Sequence, residues 1–248
     1  MQNDIISSLF EDEDSTGFLS ILPTSVIDIE PQNKRKNENH SKESSRANYS
    51  PFPNEVATLC YEFFLKNSTL VFDPFAGWGE RAFHAKKNKI NYIGYDISKV
   101  AIQNALNIFN VQNQLKDSFI ADIPEFDGFI TCPPYWNLEK YNSDDGIDRI
   151  KTWDEFLVKY NTILSRCYDK AKPNTTFCIM VGEWRSKRIY YDFEYETRRI
   201  FKELGATIID QIIVSRKKTS KIKIMLPQCK RLGYSVRVHE TLLVFRKN

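Results

Sequence analysis

Two short apolar runs, each ending in a carboxylate, constrain the fold of this chain more than any other feature. Residues 69–73 read TLVFD and residues 91–96 read NYIGYD. Runs of this length are too short for a buried helix and suit strands covered on both faces. Between them lie Gly77, Gly79 and a helical stretch from about Glu80 to Lys87. A strand, a helix and a second strand in so short a span form a crossover unit with parallel strands. The alternation continues along the chain. Asn54 is expected to cap a helix carrying Val56, Leu59, Cys60, Phe63 and Phe64, and Ser98 one carrying Ala101, Ile102, Ala105, Ile108 and Phe109. Further strands are expected at Asp117–Ile120, Asp127–Thr131 and Thr176–Val181. The strongest amphipathic pattern runs from Trp153 to Ala171, with Pro173 just beyond it. Asp192–Leu204 is read as a helix closed by Gly205. Ala206–Val214 and Val238–Phe245 have no helical pattern between them and are expected to pair antiparallel. The predicted class is α/β: a Rossmann-like, mostly parallel sheet with helices on both faces.

Charge divides the chain. Residues 1–45 hold nine acids and four bases, including Glu11-Asp12-Glu13-Asp14, and their second half is polar. Such a segment buries too little surface to offset its ordering entropy. Residues 1–45 are therefore read as a flexible, partly disordered arm, with the apolar piece Phe18–Ile29 able to dock. Residues 46–248 are read as one domain. No run of 18 apolar residues is present, which excludes a membrane-spanning helix, and the start lacks the pattern of a signal peptide. The five cysteines, 60, 132, 167, 178 and 229, are odd in number and form no CxxC pair. That argues against a disulfide framework or a zinc site and for a reducing, cytoplasmic setting.

The chemistry is expected at strand ends, where open sheets of this kind bind ligands. The segment Asp73-Pro74-Phe75-Ala76-Gly77-Trp78-Gly79 follows the first buried strand. Its glycines permit close backbone approach and positive φ. No Lys-Ser/Thr follows, so it is not a phosphate loop of the Walker type. Asp73 would repel a polyphosphate and suits a cationic group such as an amino-acid ammonium. Asp96, at the next strand end, is placed to accept hydrogen bonds from ribose hydroxyls. Asp122 is placed to accept one from an adenine amino group.

Thr131-Cys132-Pro133-Pro134-Tyr135-Trp136 is the most specific segment. Two prolines remove two backbone donors and stiffen the chain as it leaves a buried strand. Outward carbonyls with an adjacent aromatic plate suit a planar amine. A third signal is Arg216–Arg237, which holds Arg216, Lys217, Lys218, Lys221, Lys223, Lys230, Arg231 and Arg237 and no acid. It is read as a basic loop that contacts phosphates. Trp184, Arg185, Lys187 and Arg188 form a weaker candidate patch. His40 and His84 are read as structural or solvent-exposed, and His239 as orienting its neighbours.

The pair DPFAGWG (73–79) and TCPPYW (131–136) resembles the S-adenosylmethionine-dependent DNA amino-methyltransferases, which methylate adenine N6 or cytosine N4. The likeness is closest to small phage and bacterial enzymes. It runs from about Tyr49 to Arg246, taking in Ser50-Pro51-Phe52-Pro53 and His239-Glu240-Thr241-Leu242-Leu243. It implies the class I methyltransferase fold, with a seven-stranded sheet, and S-adenosyl-L-methionine as cofactor. By this likeness Asp73, Phe75, Gly77 and Gly79 hold the methionine part of the cofactor, and Ser50, Pro51 and Phe52 close over it. Asp96 holds the ribose and Asp122 the adenine. Cys132 and the Pro133 carbonyl take the target amine, Pro134 stiffens the loop, and Tyr135 stacks on a base flipped out of DNA. The sequence departs from the pattern at Cys132, where the family carries Asp, Asn or Ser, and sulfur is a poor acceptor. Glu80 and Arg81 also replace small hydroxyl residues. A cytosine-C5 type nucleophile is excluded because Cys132 precedes the proline pair. The alternatives left open are methylation of RNA or of a protein glutamine, and an inactive DNA-binding subunit with the same fold. A recognition element is expected among 137–152 and 184–237.

Overall fold

In the computed structural model, residues 21–29, 51–137, 146–186, 188–216 and 221–248 are described. Strand β1 is Val26–Asp28. Helix α1, Asn54–Leu59, continues as a π-helical turn, Cys60–Phe64, into β2, Leu70–Asp73. Then come α2 (Glu80–Lys87), β3 (Asn91–Asp96), α3 (Lys99–Phe109), β4 (Gln114–Leu115) and β5 (Phe126–Thr131). Helix α4 (Trp153–Lys170) leads into β6 (Ala171–Val181) and a hairpin of β7 (Trp184–Ser186) and β8 (Ile189–Tyr191). Helix α5 (Phe193–Glu203), β9 (Thr207–Ser215), α6 (Lys221–Leu232) and β10 (His239–Arg246) complete the order.

The main sheet runs β1-β9-β10-β6-β5-β2-β3-β4. β10 lies antiparallel to both β6 and β9, and the other pairs are parallel. Six of the seven expected strands are in place, the third is displaced, and one strand is added. Val26–Asp28, from the expected arm, pairs with Ile213–Ser215 and makes the sheet eight-stranded. Apolar Ile27 and Ile29 carry that attachment by burying into the core beside α1.

Period-two alternation sorts the strand residues between two cores. Phe72, Phe129, Phe177, Ile179, Leu243 and Phe245 face α4 and α5. Their neighbours Val71, Ile130, Cys178, Met180, Leu242 and Val244 face α1. The first core is dense in aromatic rings: Phe201 and Phe245 stack with centroids 4.4 Å apart, and Phe129 lies 4.9 Å from Phe177. Helix α4 opens with a capping box in which Thr152 and Glu155 satisfy each other's backbone N–H.

Several local expectations are corrected. Asn54 does not cap α1: its Oδ1 lies 3.2 Å from His84 Nε2, and Pro53 occupies the cap position. His84 is accordingly buried. The strand expected at Asp117–Ile120 lies instead at Gln114–Leu115. Residues 117–121 turn back on themselves, because Asp117 accepts the Phe119 N–H and the buried Ser118 hydroxyl bonds the Pro74 carbonyl. The expected basic loop contains helix α6, whose Ile222, Cys229 and Leu232 recur at helical spacing. The hairpin β7–β8 was not anticipated. Its turn includes Arg188 at φ 70°, unusual for a residue with a side chain.

Candidate active site

The chain turns from β2 to β3 on one side of the sheet and to β5 on the other, so the switch point lies between β2 and β5. Their carboxyl ends carry the glycine segment and the Pro-Pro segment. The two are joined directly, because the Thr131 hydroxyl donates to Asp73 Oδ1 at 2.7 Å.

Asp73 is fully buried and saturated by the protein itself. Besides Thr131, it accepts from the Phe75 N–H at 3.0 Å, the Tyr92 hydroxyl at 2.9 Å and Arg81 Nε at 2.6 Å. Burial and the Asp73 charge push the Tyr92 hydroxyl well above its usual range, so it stays a donor. The expectation that Asp73 meets a ligand's ammonium is therefore corrected. Its charge is answered by Arg81, only 4% exposed, which also donates to the Phe75 carbonyl at 2.5 Å. Asp73 and Arg81 form an internal brace for the loop, and the buried Phe52 supports it with its ring 4.9 Å beneath the guanidinium. Phe52 thus belongs to this support. Pro51 is half-buried at the start of the same segment, and Ser50 lies outside the described residues.

The glycine loop is held in shape from the next strand. Asp96 Oδ2 accepts the Gly77 N–H and Oδ1 the Ser98 N–H, each at 2.8 Å. Burial raises the Asp96 pKa, and the two backbone donors only partly offset that. The carboxylate is fixed at the mouth of β3, half-exposed, with lone pairs left on each oxygen. Gly77 and Gly79 have φ of 57° and 94°. At Gly79 a Cβ would lie 2.8 Å from both Ala105 Cβ and Val111 Cγ2, so glycine is required twice over. Asp122 is exposed on the loop between β4 and β5, and its backbone carbonyl accepts the Tyr95 hydroxyl at 2.8 Å. Phe75 is half-buried and packs on the α4-side core. A cradle of glycine backbone, with the Asp96 carboxylate at the end of β3 and the Asp122 carboxylate on the loop after β4, fits a nucleoside carrying an amino-acid tail.

The Pro-Pro segment leaves β5 with Pro133 buried and Cys132, Pro134 and Tyr135 half-exposed. Among the described residues, no donor reaches the Pro133 carbonyl. The Tyr135 ring stands edge-on to Trp184 at 5.4 Å and to Phe193 at 6.0 Å, so its orientation is set by packing. Trp136 is buried and donates its indole N–H to the Ile150 carbonyl at 2.7 Å. Sequence reasoning missed Glu240. Its Oε1 accepts the Tyr135 hydroxyl at 2.9 Å, and its Oε2 accepts Arg216 Nε at 2.7 Å. The available signal was a carboxylate at the head of an otherwise apolar strand.

The eight expected DNA-contacting cations separate. Arg216 and Arg237 are engaged inside the protein, with Glu240 and Glu183. His239 follows them, its ring nitrogen 3.5 Å from the Arg237 guanidinium and its pKa lowered by burial and that charge. Lys223, Lys230 and Arg231 are exposed on α6. Lys217, Lys218 and the Lys221 side chain lie outside the described residues. Arg185, in the weaker patch, sits over the Tyr190 and Tyr234 rings at 4.8 and 4.7 Å, and Lys187 lies outside the described residues. No helix among the described residues is long and apolar enough to cross a membrane, and no metal-binding cluster occurs among them.

Comparison with known proteins agrees with this geometry. Among solved structures, the [4+2]-cyclase SpnF matches with a TM-score of 0.54 at 14% identity, over 78% of this chain and 81% of that one. The N-methyltransferase NodS from Bradyrhizobium japonicum WM9 matches with 0.52 at 12%, over 78% and 94%. TrmN from Thermus thermophilus matches with 0.51 at 13%, over 79% of this chain, which spans about half (49%) of TrmN. At such identities the likeness establishes the fold, the class I methyltransferase type. No curated protein matches. A sequence model of the DNA methylase family matches residues 8–107 and 126–248, taking in both motif segments. The chain therefore belongs to the DNA methylase family, whose members are S-adenosylmethionine-dependent amino-methyltransferases.

Proposed function

We propose that this protein transfers a methyl group from S-adenosyl-L-methionine to the exocyclic amine of adenine or cytosine in DNA, acting on a base flipped out of the duplex. The observation that carries the reading is the Thr131–Asp73 hydrogen bond, which fixes the loop suited to the cofactor against the loop suited to the amine. When bound, the cofactor supplies a methyl group activated by its sulfonium. The Gly77–Gly79 backbone would lie against the cofactor's methionine end, Asp96 would accept from its ribose hydroxyls and Asp122 from its adenine.

The target amine is a weak nucleophile because its lone pair is delocalised into the ring. The Pro133 carbonyl accepts one amine hydrogen and favours a pyramidal nitrogen. Cys132 stands where a second acceptor is expected, and its sulfur contributes less. Pro134 keeps the loop stiff. Tyr135 stacks on the base and holds it in line with the methyl group, so positioning supplies most of the acceleration. The target nitrogen would take the methyl as the bond from the methyl to the sulfonium breaks, leaving a neutral thioether, and would then release its proton to water. Unpairing the base comes before these steps.

The test uses cofactor labelled in its methyl group and unmethylated DNA, digested afterwards to nucleosides. Label in N6-methyladenine or N4-methylcytosine nucleosides is expected. Label in RNA or protein with none in DNA would refute the reading.

A further inference from the structure

The β7–β8 hairpin presents two different faces. Its strands pair Trp184 with Tyr191 and Arg185 with Tyr190. Strand alternation sends the first pair inward and the second outward. Trp184 is 5% exposed and stacks on Tyr191 with centroids 5.4 Å apart. It also packs on Trp153 at 5.5 Å and on Tyr135 at 5.4 Å. Arg185 is half-exposed, and Tyr190 is 40% exposed. The outer pair is therefore carried by the same packing that orients Tyr135.

Aromatic rings hold the Arg185 guanidinium. Its Cζ lies 4.8 Å from the Tyr190 ring centroid and 4.7 Å from that of Tyr234, on the segment after α6. Among the described residues, no carboxylate or carbonyl accepts a hydrogen bond from it. The other buried and half-buried arginines described all have oxygen partners. Arg81, Arg198, Arg199, Arg216 and Arg237 pair with carboxylates, and Arg166 donates to the Ala121 carbonyl. Ring contact steadies a guanidinium and leaves its N–H donors unspent. Arg185 is thus a preorganised donor fork at the surface, one residue along the chain from the tryptophan that packs on Tyr135.

We infer that Arg185 reads a guanine flanking the target base, donating to its O6 and N7 in the major groove. The inference rests on the DNA reading above and adds the residue that selects the site. A phosphate asks for positive charge, which the exposed Lys223 and Lys230 of α6 supply without a fixed orientation. A purine edge asks for two donors held in one plane, and guanine carries two acceptors side by side there. Because Trp184 ties the hairpin to Tyr135, the base read by Arg185 keeps a fixed spacing from the base that Tyr135 stacks on.

The test methylates a pool of random duplexes and sequences the products by a method that detects the methylated base. With the wild-type protein, one flanking position at fixed spacing should be guanine. Replacing that guanine by 7-deazaguanine, which lacks the N7 acceptor, should lower wild-type kcat/KM by about tenfold. Arg185→Ala should relax the preference at that position by roughly 10- to 100-fold and keep the preferences elsewhere. Arg185→Lys keeps the charge but not the fork, and it should relax the same position while binding DNA with nearly wild-type salt dependence. Both variants should be indifferent to 7-deazaguanine. A wild-type profile with no fixed guanine, or a wild-type rate untouched by 7-deazaguanine, would overturn the inference even if a variant failed to fold. So would an equal loss at all sites in Arg185→Ala with recovery in Arg185→Lys, the mark of a phosphate contact. Absence of methylation from every DNA with the wild-type protein would overturn the parent reading and this one with it.

Discussion

Arg81→Met removes the cation from a carboxylate that has no access to water. Asp73 is 0% exposed and Arg81 4%, and their atoms lie 2.6 Å apart. Breaking such a pair from one side costs about 3–5 kcal/mol, because the remaining charge stays buried. Three donors remain on Asp73 in the variant, from Thr131, Tyr92 and Phe75, and these pull the cost toward the lower end. Against that, the bond to the Phe75 carbonyl and the stack on Phe52 are also lost. Together they add about 1 kcal/mol, and the balance is about 4 kcal/mol. For a chain of this size each kcal/mol shifts Tm by about 2–4 °C, so a fall of roughly 10 °C is expected in calorimetry. Adding Asp73→Asn to the same chain removes the stranded charge and should return at least about 1 kcal/mol in urea denaturation. A single variant within 1 kcal/mol of wild type, or a double variant as unstable as the two single costs added together, would refute the brace.

Tyr135→Ala should abolish methyl transfer while leaving cofactor affinity, measured by calorimetric titration, within about threefold; equal loss of cofactor binding would contradict its assignment to the base. Glu240→Gln keeps the shape but weakens the hold on the Tyr135 hydroxyl and Arg216. It should lower kcat by about tenfold with cofactor Kd and Tm nearly unchanged, and Glu240→Ala should lower it further. His84 is held neutral by burial, with the nearby Lys87 charge adding to the effect, and its pKa is lowered to about 4. The unfolded chain binds that proton first, so stability is lost as pH falls from about 6.5 toward 4. The loss is on the order of 2 kcal/mol, and urea titrations of His84→Gln should lack this part of the slope.

The sheet was legible because strand residues buried on both faces leave short, dense apolar runs, as in LVFD and TFCIMV. The site was legible wherever one residue type has a narrow use: Gly79 at φ 94°, or two prolines at a strand end. What could not be read depended on contacts distant in sequence. Asp73 looked like a ligand contact because nothing in its own segment shows that Arg81 folds back from the first turn of α2 to neutralise it. Glu80 and Arg81, standing where the family has small hydroxyl residues, were the available hint. Helix α6 was hidden by Pro227 and by its density of charge, although its apolar spacing was present. Glu240 reaches Tyr135, 105 positions away in the chain, only because β10 is inserted antiparallel beside β6.

Strand β1 gives the chain a clasp that closes late. Val26 and its partner Ile213 are 187 positions apart, so the pair forms only after the residues between them have been made. Strand β1 waits without a partner until β9 is made, and on β9 the exposed Ile208 and Ile209 lie outside the three residues that β1 covers. Open apolar edges recruit other strands, so this is the interval in which the chain is most prone to mispair. The last partner in the clasp is Ser215, the residue before Arg216. Its closing would steady the root of α6.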